Sequence, residues 1–208
     1  MPLSGIARLP PQMEGKIIMG RLAADLGHAL FEVLETGNSA LATEVVHDEF
    51  HNREAAVSPP ACRIAGPAGV LASSAWMRSA FSDLRLPVDQ IICSDSQVWV
   101  KLRMQGRHTG AFVLFKGEDV DQVVPPSGRE IDFEQIHVLD LKDGKVIRHE
   151  AVRDDVTMLG QLGVFPPGPA AAMRMVTWRA TGRAARAAAD VRARAAQAAA
   201  VLRHGITA

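Results

Sequence analysis

Residues 133–155 read Phe133-Glu134-Gln135-Ile136-His137-Val138-Leu139-Asp140-Leu141-Lys142-Asp143-Gly144-Lys145-Val146-Ile147-Arg148-His149-Glu150-Ala151-Val152-Arg153-Asp154-Asp155. Two runs rich in apolar and β-branched residues flank Asp143-Gly144. That dipeptide accepts positive φ at both centres of a type I′ turn, so the segment reads as a long β-hairpin. With a two-residue loop, Lys142 pairs with Lys145. Counting back sets Leu139 opposite Arg148, His137 opposite Glu150, Gln135 opposite Val152 and Phe133 opposite Asp154. One face then carries Gln135, His137, Glu150 and Asp154 among Phe133, Leu139 and Val152. Titratable and apolar side chains interleaved in mid-strand mark a pocket wall, although the same pattern also suits a solvated sheet face. A longer loop would slip the register and part His137 from Glu150.

Upstream, Ile18, Leu22, Leu26, Leu30, Val33 and Leu34 recur at helical spacing, which predicts a helix from about Lys16 to Glu35 after an irregular lead-in. Ser39 is placed to cap a second helix through Phe50, delivering His51-Asn52 to a loop. Pro67 opens a third helix, with Val70, Met77 and Phe81 along one side and Trp76 beside them. Strands are expected over 88–93, 97–105 and 109–115, the last two joined through Gly106-Arg107-His108. Residues 117–128 read as a long polar loop, either a lid or partner contact or a mobile insert. A short helix over 156–162 ends at Gly163. Helices followed by antiparallel strands make an α+β fold.

The 208 residues balance 23 Lys and Arg against 23 Asp and Glu, yet from Pro166 onward seven arginines face only Asp190. This divides the chain into a body, 1–165, and a basic helical extension, 166–208. The Ala/Arg-rich extension is a strong helix former. It suits either a basic arm for nucleic acid or an anionic membrane, or a helix packed on the body or on a second subunit. Few aromatic residues interleave the arginines, which argues against nucleic acid. Cys62 and Cys93 read as free thiols of a reducing compartment. No signal-peptide layout and no run of about 18 apolar residues stands out, so a cytoplasmic protein is expected. No glycine-rich phosphate loop, serine elbow or metal-ligand spacing occurs, which argues against nucleotide, covalent serine and metal chemistry.

Several short pieces in a fixed order carry a resemblance. They are His51 after an acidic helix end, Gly66-Pro67-Ala68-Gly69, Phe81-Ser82-Asp83-Leu84-Arg85, Gly106-Arg107-His108-Thr109-Gly110, Gly128-Arg129, Asp143-Gly144-Lys145-Val146, and Arg153-Asp154-Asp155 before Gln161-Leu162-Gly163. From about Ile17 to Val164 the chain resembles the SnoaL-like polyketide cyclases, also called ester cyclases, of the nuclear transport factor 2-like superfamily. The resemblance implies a cone-shaped α+β barrel with an internal cavity, three N-terminal helices on a curved, mostly antiparallel sheet, no cofactor, and frequent homodimers. It implies a small hydrophobic carbonyl substrate and an aspartate on the last strand as acid/base in an intramolecular aldol closure. Asp154 stands at that position and His51 at a pocket-lining one. Glu150 departs from the pattern, since many relatives have tryptophan there.

Two proton-transfer schemes follow. Asp154 acts as base with His137 or Gln135 as donor to the enolate, or His137 shuttles the proton while Glu150 orients it. His51, Gln135, Phe133, Val152 and Trp76 complete the expected substrate-binding set. The competing reading of Asp154 is a helix cap for the segment that follows it. The leading function is a cofactor-independent cyclase or a related lyase or isomerase, and a non-catalytic ligand-binding or protein-interaction module is the alternative.

Overall fold

The computed structural model describes residues 11–202, with side chains from residue 20 onward. The first ten residues of the lead-in and Arg203 lie outside the described residues.

Helix α1 (Pro11–Thr36) starts earlier than its apolar periodicity suggests, because Pro11 suits a first helical position. Its Leu30, Phe31 and Val33 are fully buried, and Gly27 lets it lie on Val98 and Val100 of the sheet. Helix α2 (Ser39–Val45) is capped by Asn38, whose Oδ1 accepts from Leu41 N at 3.1 Å, rather than by Ser39. It stops well short of Phe50. The β-branched pair Val45-Val46 turns the chain into strand β1 (Val46–Asn52), which buries Val46 and Phe50 and pairs parallel with the last strand.

After two short 3₁₀ turns, Arg53–Val57 and Pro60–Arg63, helix α3 (Pro67–Ala80) begins at Pro67 as expected and buries Val70, Leu71 and Trp76. Strands β2 (Phe81–Arg85) and β3 (Val88–Cys93) follow, and both pair antiparallel with β4 (Gln97–His108). Strand β4 runs on through His108, so Gly106-Arg107-His108 is strand rather than a hairpin connection. Strand β5 (Phe112–Lys116) pairs instead with β6 (Asp119–Val124), which lies inside the stretch read as a loop. The two form a separate two-stranded sheet.

Gly110 makes this departure possible. A Cβ there would stand 1.8 Å from Ser79 O, a backbone atom that cannot yield. Gly110→Ala is therefore expected to lower the unfolding free energy by about 2–4 kcal/mol. Urea unfolding checks this, and unchanged stability would contradict the close approach.

Strands β7 (Glu130–Lys142) and β8 (Lys145–Arg153) form the expected hairpin, with Asp143 at φ 51° and Gly144 at φ 72°. The main sheet runs β1-β8-β7-β4-β2, with β3 beside β4. It curls around a core that includes Phe31, Leu102 and Phe133, giving a mixed α+β half-barrel. Helix α4 (Asp155–Leu162) ends at Gly163 with φ 76°. The described part of the extension forms two helices, α5 (Pro169–Ala180) and α6 (Arg183–Ala200), broken at Gly182. Helix α6 packs on α3 and buries Ala188, Val191, Ala195 and Ala199, a helical stripe. Among the described residues no helix is long and apolar enough to cross a membrane.

Candidate active site

The inner surface of the hairpin is set by a β-bulge. Leu141 pairs with Val146, but Asp140 pairs with Arg148, so Ile147 is an extra residue in β8. Beyond it the register differs by one from the turn count. His137 stands opposite Ala151, Val138 opposite Glu150, and Gln135 opposite Arg153. A one-residue slip moves every later side chain of β8 to the other face. His149 thereby turns inward beside His137.

Gln135, His137, His149 and Arg153 line a cavity of about 260 Å³. Phe31 of α1, Trp76 and Met77 of α3, Phe112 and Leu114 of β5, and Met158 of α4 supply much of its apolar wall. A chain of four polar side chains crosses one side. Gln135 meets His137 Nε2 at 2.8 Å, His137 Nδ1 meets His149 Nε2 at 2.7 Å, and His149 Nδ1 meets Asn52 Oδ1 at 3.1 Å. Phe31 packs edge-on against the His137 ring, with centroids 4.8 Å apart.

The proton positions follow from Asn52. Its Oδ1 accepts from the Glu54 backbone N–H at 3.0 Å, which identifies that atom as the oxygen. His149 Nδ1 must then be the donor, leaving Nε2 of the neutral ring to accept from His137 Nδ1–H. Neutral His137 presents a lone pair at Nε2 to Gln135 Oε1, so the Gln135 amide is assigned the reverse orientation, with its N–H₂ donating to Nε2. Burial, then His149 and Arg153, hold His137 well below the ordinary histidine range. Burial, with Arg153 second, lowers His149 to about 4. Both rings are neutral at pH 7.

Next to this chain stands a charged trio. Arg153 lies 3.5 Å from a Glu54 oxygen and 3.4 Å from Asp155 Oδ2, while Glu54 Oε1 accepts from Ala151 N at 2.9 Å. All three side chains reach the cavity.

Of the expected site residues, the structure brings His137, Gln135, Phe133 and Trp76 together at the cavity. Trp76 is buried, its Nε1 donating to Val113 O at 2.9 Å. The bulge reverses the others on β8. Glu150 does not face His137; it points outward, 3.0 Å from Arg53 Nη1. Val152 is 76% exposed on the outer sheet face rather than lining the pocket. His51 is exposed on β1, and its neighbour Asn52 takes the inward place. Asp154 caps α4: its Oδ1 accepts from Thr157 N at 3.0 Å and its Oδ2 from Thr157 Oγ1 at 2.6 Å. Those two bonds, the hydroxyl first, pull its carboxyl below the ordinary aspartate value. It is exposed and absent from the cavity lining, the opposite of the desolvated base expected of it.

His149, Asn52, Glu54, Arg153 and Asp155 are cavity residues that turn counting misses. Asn52-Arg53-Glu54 did carry a signal, since asparagine two residues before a glutamate is a natural cap for a short helical turn.

A profile described as SnoaL-like polyketide cyclase matches residues 24–162. Aklanonic acid methyl ester cyclase DnrD of Streptomyces peucetius is 31% identical over 147 residues, covering 70% of this chain and 93% of that enzyme. Aklanonic acid methyl ester cyclase DauD of Streptomyces sp. (strain C5) is also 31% identical over 147 residues, covering 70% and 84%. Among solved structures, TsrD from Streptomyces laurentii superposes with a TM-score of 0.57 at 21% identity, over 70% of this chain and 97% of TsrD. That likeness speaks for the fold alone.

Proposed function

Since the chain belongs to the SnoaL-like polyketide cyclase family, we propose that it closes a ring in a polyketide methyl ester by cofactor-independent intramolecular aldol chemistry, with His137 as the proton carrier. The observation that supports this most is the placement of His137 in an apolar cavity with both ring nitrogens held.

In the proposed reaction an acidic C–H between two carbonyls takes the place of the Gln135 amide at His137 Nε2. The C–H bond breaks and its proton moves to Nε2. The enolate carbon attacks a second carbonyl of the same molecule, forming the new C–C bond while the carbonyl electron pair moves to oxygen. That alkoxide takes the proton back from Nε2–H. No atom is lost and nothing is oxidised. Imidazolium is costly in the empty cavity, but the enolate beside it supplies the opposite charge. The contact of His137 Nδ1–H with His149 Nε2 persists in both protonation states and holds the ring in place. His137 can therefore accept and return a proton without moving its ring. Incubation with aklanonic acid methyl ester should give a product of unchanged mass and a new ring; binding without conversion, for this and related polyketide methyl esters, contradicts the proposal.

The proposed enzyme is a homodimer formed through the open sheet face. Ile92 (59% exposed), Trp99 (48%), Ile136 (44%) and Val152 (76%) make an apolar patch across four strands. Cross-strand pairs join Ile92 to Trp99 and Ile136 to Val152. Around it, Lys101–Glu134, Arg103–Asp132 and Arg148–Asp140 pair internally, so a second copy of the face meets few unpaired charges. Sedimentation velocity should show a dimer that Trp99→Glu with Val152→Glu converts to a folded monomer. A monomeric native chain at tens of micromolar contradicts it.

A further inference from the structure

We infer that the C-terminal extension sets the shape of the cavity, and that Arg192 of α6 is the positioning residue through which it acts on the β5–β6 hairpin. The inference rests on the cavity being the substrate site.

Three observations carry it. First, β5 supplies Phe112 and Leu114 to the cavity wall, yet its strand partner is β6, and that two-stranded sheet stands apart from the main one. Side-chain contacts therefore anchor this wall: Trp76 Nε1 to Val113 O, and two arginines at the turn.

Second, the turn is gripped from two sides. Arg63 Nη2 donates to Gly117 O and to Glu118 Oε1, each at 2.9 Å. Arg192 Nη2 donates to Glu118 O at 2.6 Å, and its guanidinium sits 5.4 Å from the centroid of Phe115. A cation over a ring and a charge-assisted bond to the turn fix β5 along its length. The same helix buries Val191 and Ala195 on α3, which contributes Ser73, Trp76 and Met77 to the cavity. One element thus braces two walls.

Third, the bracing element lies outside the family match. The family profile ends at residue 162, before α5 and α6. The 147 residues shared with DnrD are 93% of that enzyme but only 70% of this chain. The brace is an addition of this chain to the scaffold it shares with DnrD, and it bears on the β5 wall of the cavity.

The test uses the full chain and hydrogen–deuterium exchange by mass spectrometry. Arg192→Ala should speed exchange over residues 112–124 by about tenfold relative to the native chain. Exchange in β4 and β7 should stay unchanged, and Arg192→Lys should restore part of the protection. With aklanonic acid methyl ester, Arg192→Ala should raise KM while leaving kcat within a factor of about two, as expected when only substrate binding is weakened. Unchanged exchange over 112–124, or equal loss of protection across the molecule, overturns the inference. The exchange result does not depend on His137 being the proton carrier, so the two readings fail separately.

Discussion

His137→Gln should lower kcat by about 10²- to 10⁴-fold, the usual share of a positioned acid/base group, while KM changes little. The glutamine amide can still bridge Gln135 and His149, so the fold should persist and circular dichroism should match the native chain. What it lacks is a nitrogen that can hold a proton. The companion variant discriminates between the two schemes that the hairpin suggests. Asp154→Asn should keep kcat within a few-fold, because the carboxylate it replaces is exposed and bound to Thr157. Its effect should appear as a lower unfolding midpoint, since an anionic cap at a helix N-terminus is lost. If the pattern is reversed, with Asp154→Asn inactive and His137→Gln active, the base is Asp154 and α4 must rearrange to release it.

Stability should fall steeply as pH drops from about 6.5 towards 4. Burial lowers His108 and His149 to about 4, and His137 lies well below the ordinary range. Their unfolded counterparts protonate near 6.5. Between these values the unfolded chain binds protons that the folded chain refuses, so acid favours unfolding. Each histidine contributes a slope of up to about 1.4 kcal/mol per pH unit, and a lowering from 6.5 to about 4 amounts to roughly 3 kcal/mol. Two such groups, with His137 acting in the same direction, weigh heavily against a total stability of about 5–15 kcal/mol. His108 adds to this because its Nδ1 already accepts from Ser127 N at 3.2 Å while Nε2 is buried without a partner among the described residues. Urea unfolding at pH 7.5, 6 and 5 measures the slope. Equal stability at pH 7.5 and 5 would mean that these rings are protonated in the folded state.

Much of the plan was legible wherever a local signal and its tertiary consequence agree. Asp143-Gly144 dictated the hairpin turn, Pro67 the start of α3, Gly163 the end of α4, and the Leu30–Val33 spacing the buried side of α1. The site was half legible. On β7 the inward set Phe133, Gln135, His137 and Leu139 follows from alternation alone. On β8 it does not, because one extra residue exchanges inner and outer faces, and a bulge has no strict sequence signature. A clue lay in Arg148 and Glu150, which share a parity: two charges on one face of a strand favour solvent, and that leaves His149 inside. Strands β1, β2 and β6 were missed for a different reason, Phe81 having been read as part of the third helix. Each is short and polar, and each exists because a partner strand offers an edge, which is tertiary information. Asp154 carried two meanings, cap and base, and local sequence could not separate them.

The most direct test of the mechanism follows the proton. Incubated in D₂O with the native chain, aklanonic acid methyl ester should exchange its acidic C–H for deuterium or carry deuterium into the cyclised product faster than the uncatalysed rate. A proton carried by His137 requires that His137→Gln lose that exchange while Asp154→Asn retains it. Exchange at the native rate in His137→Gln would contradict it.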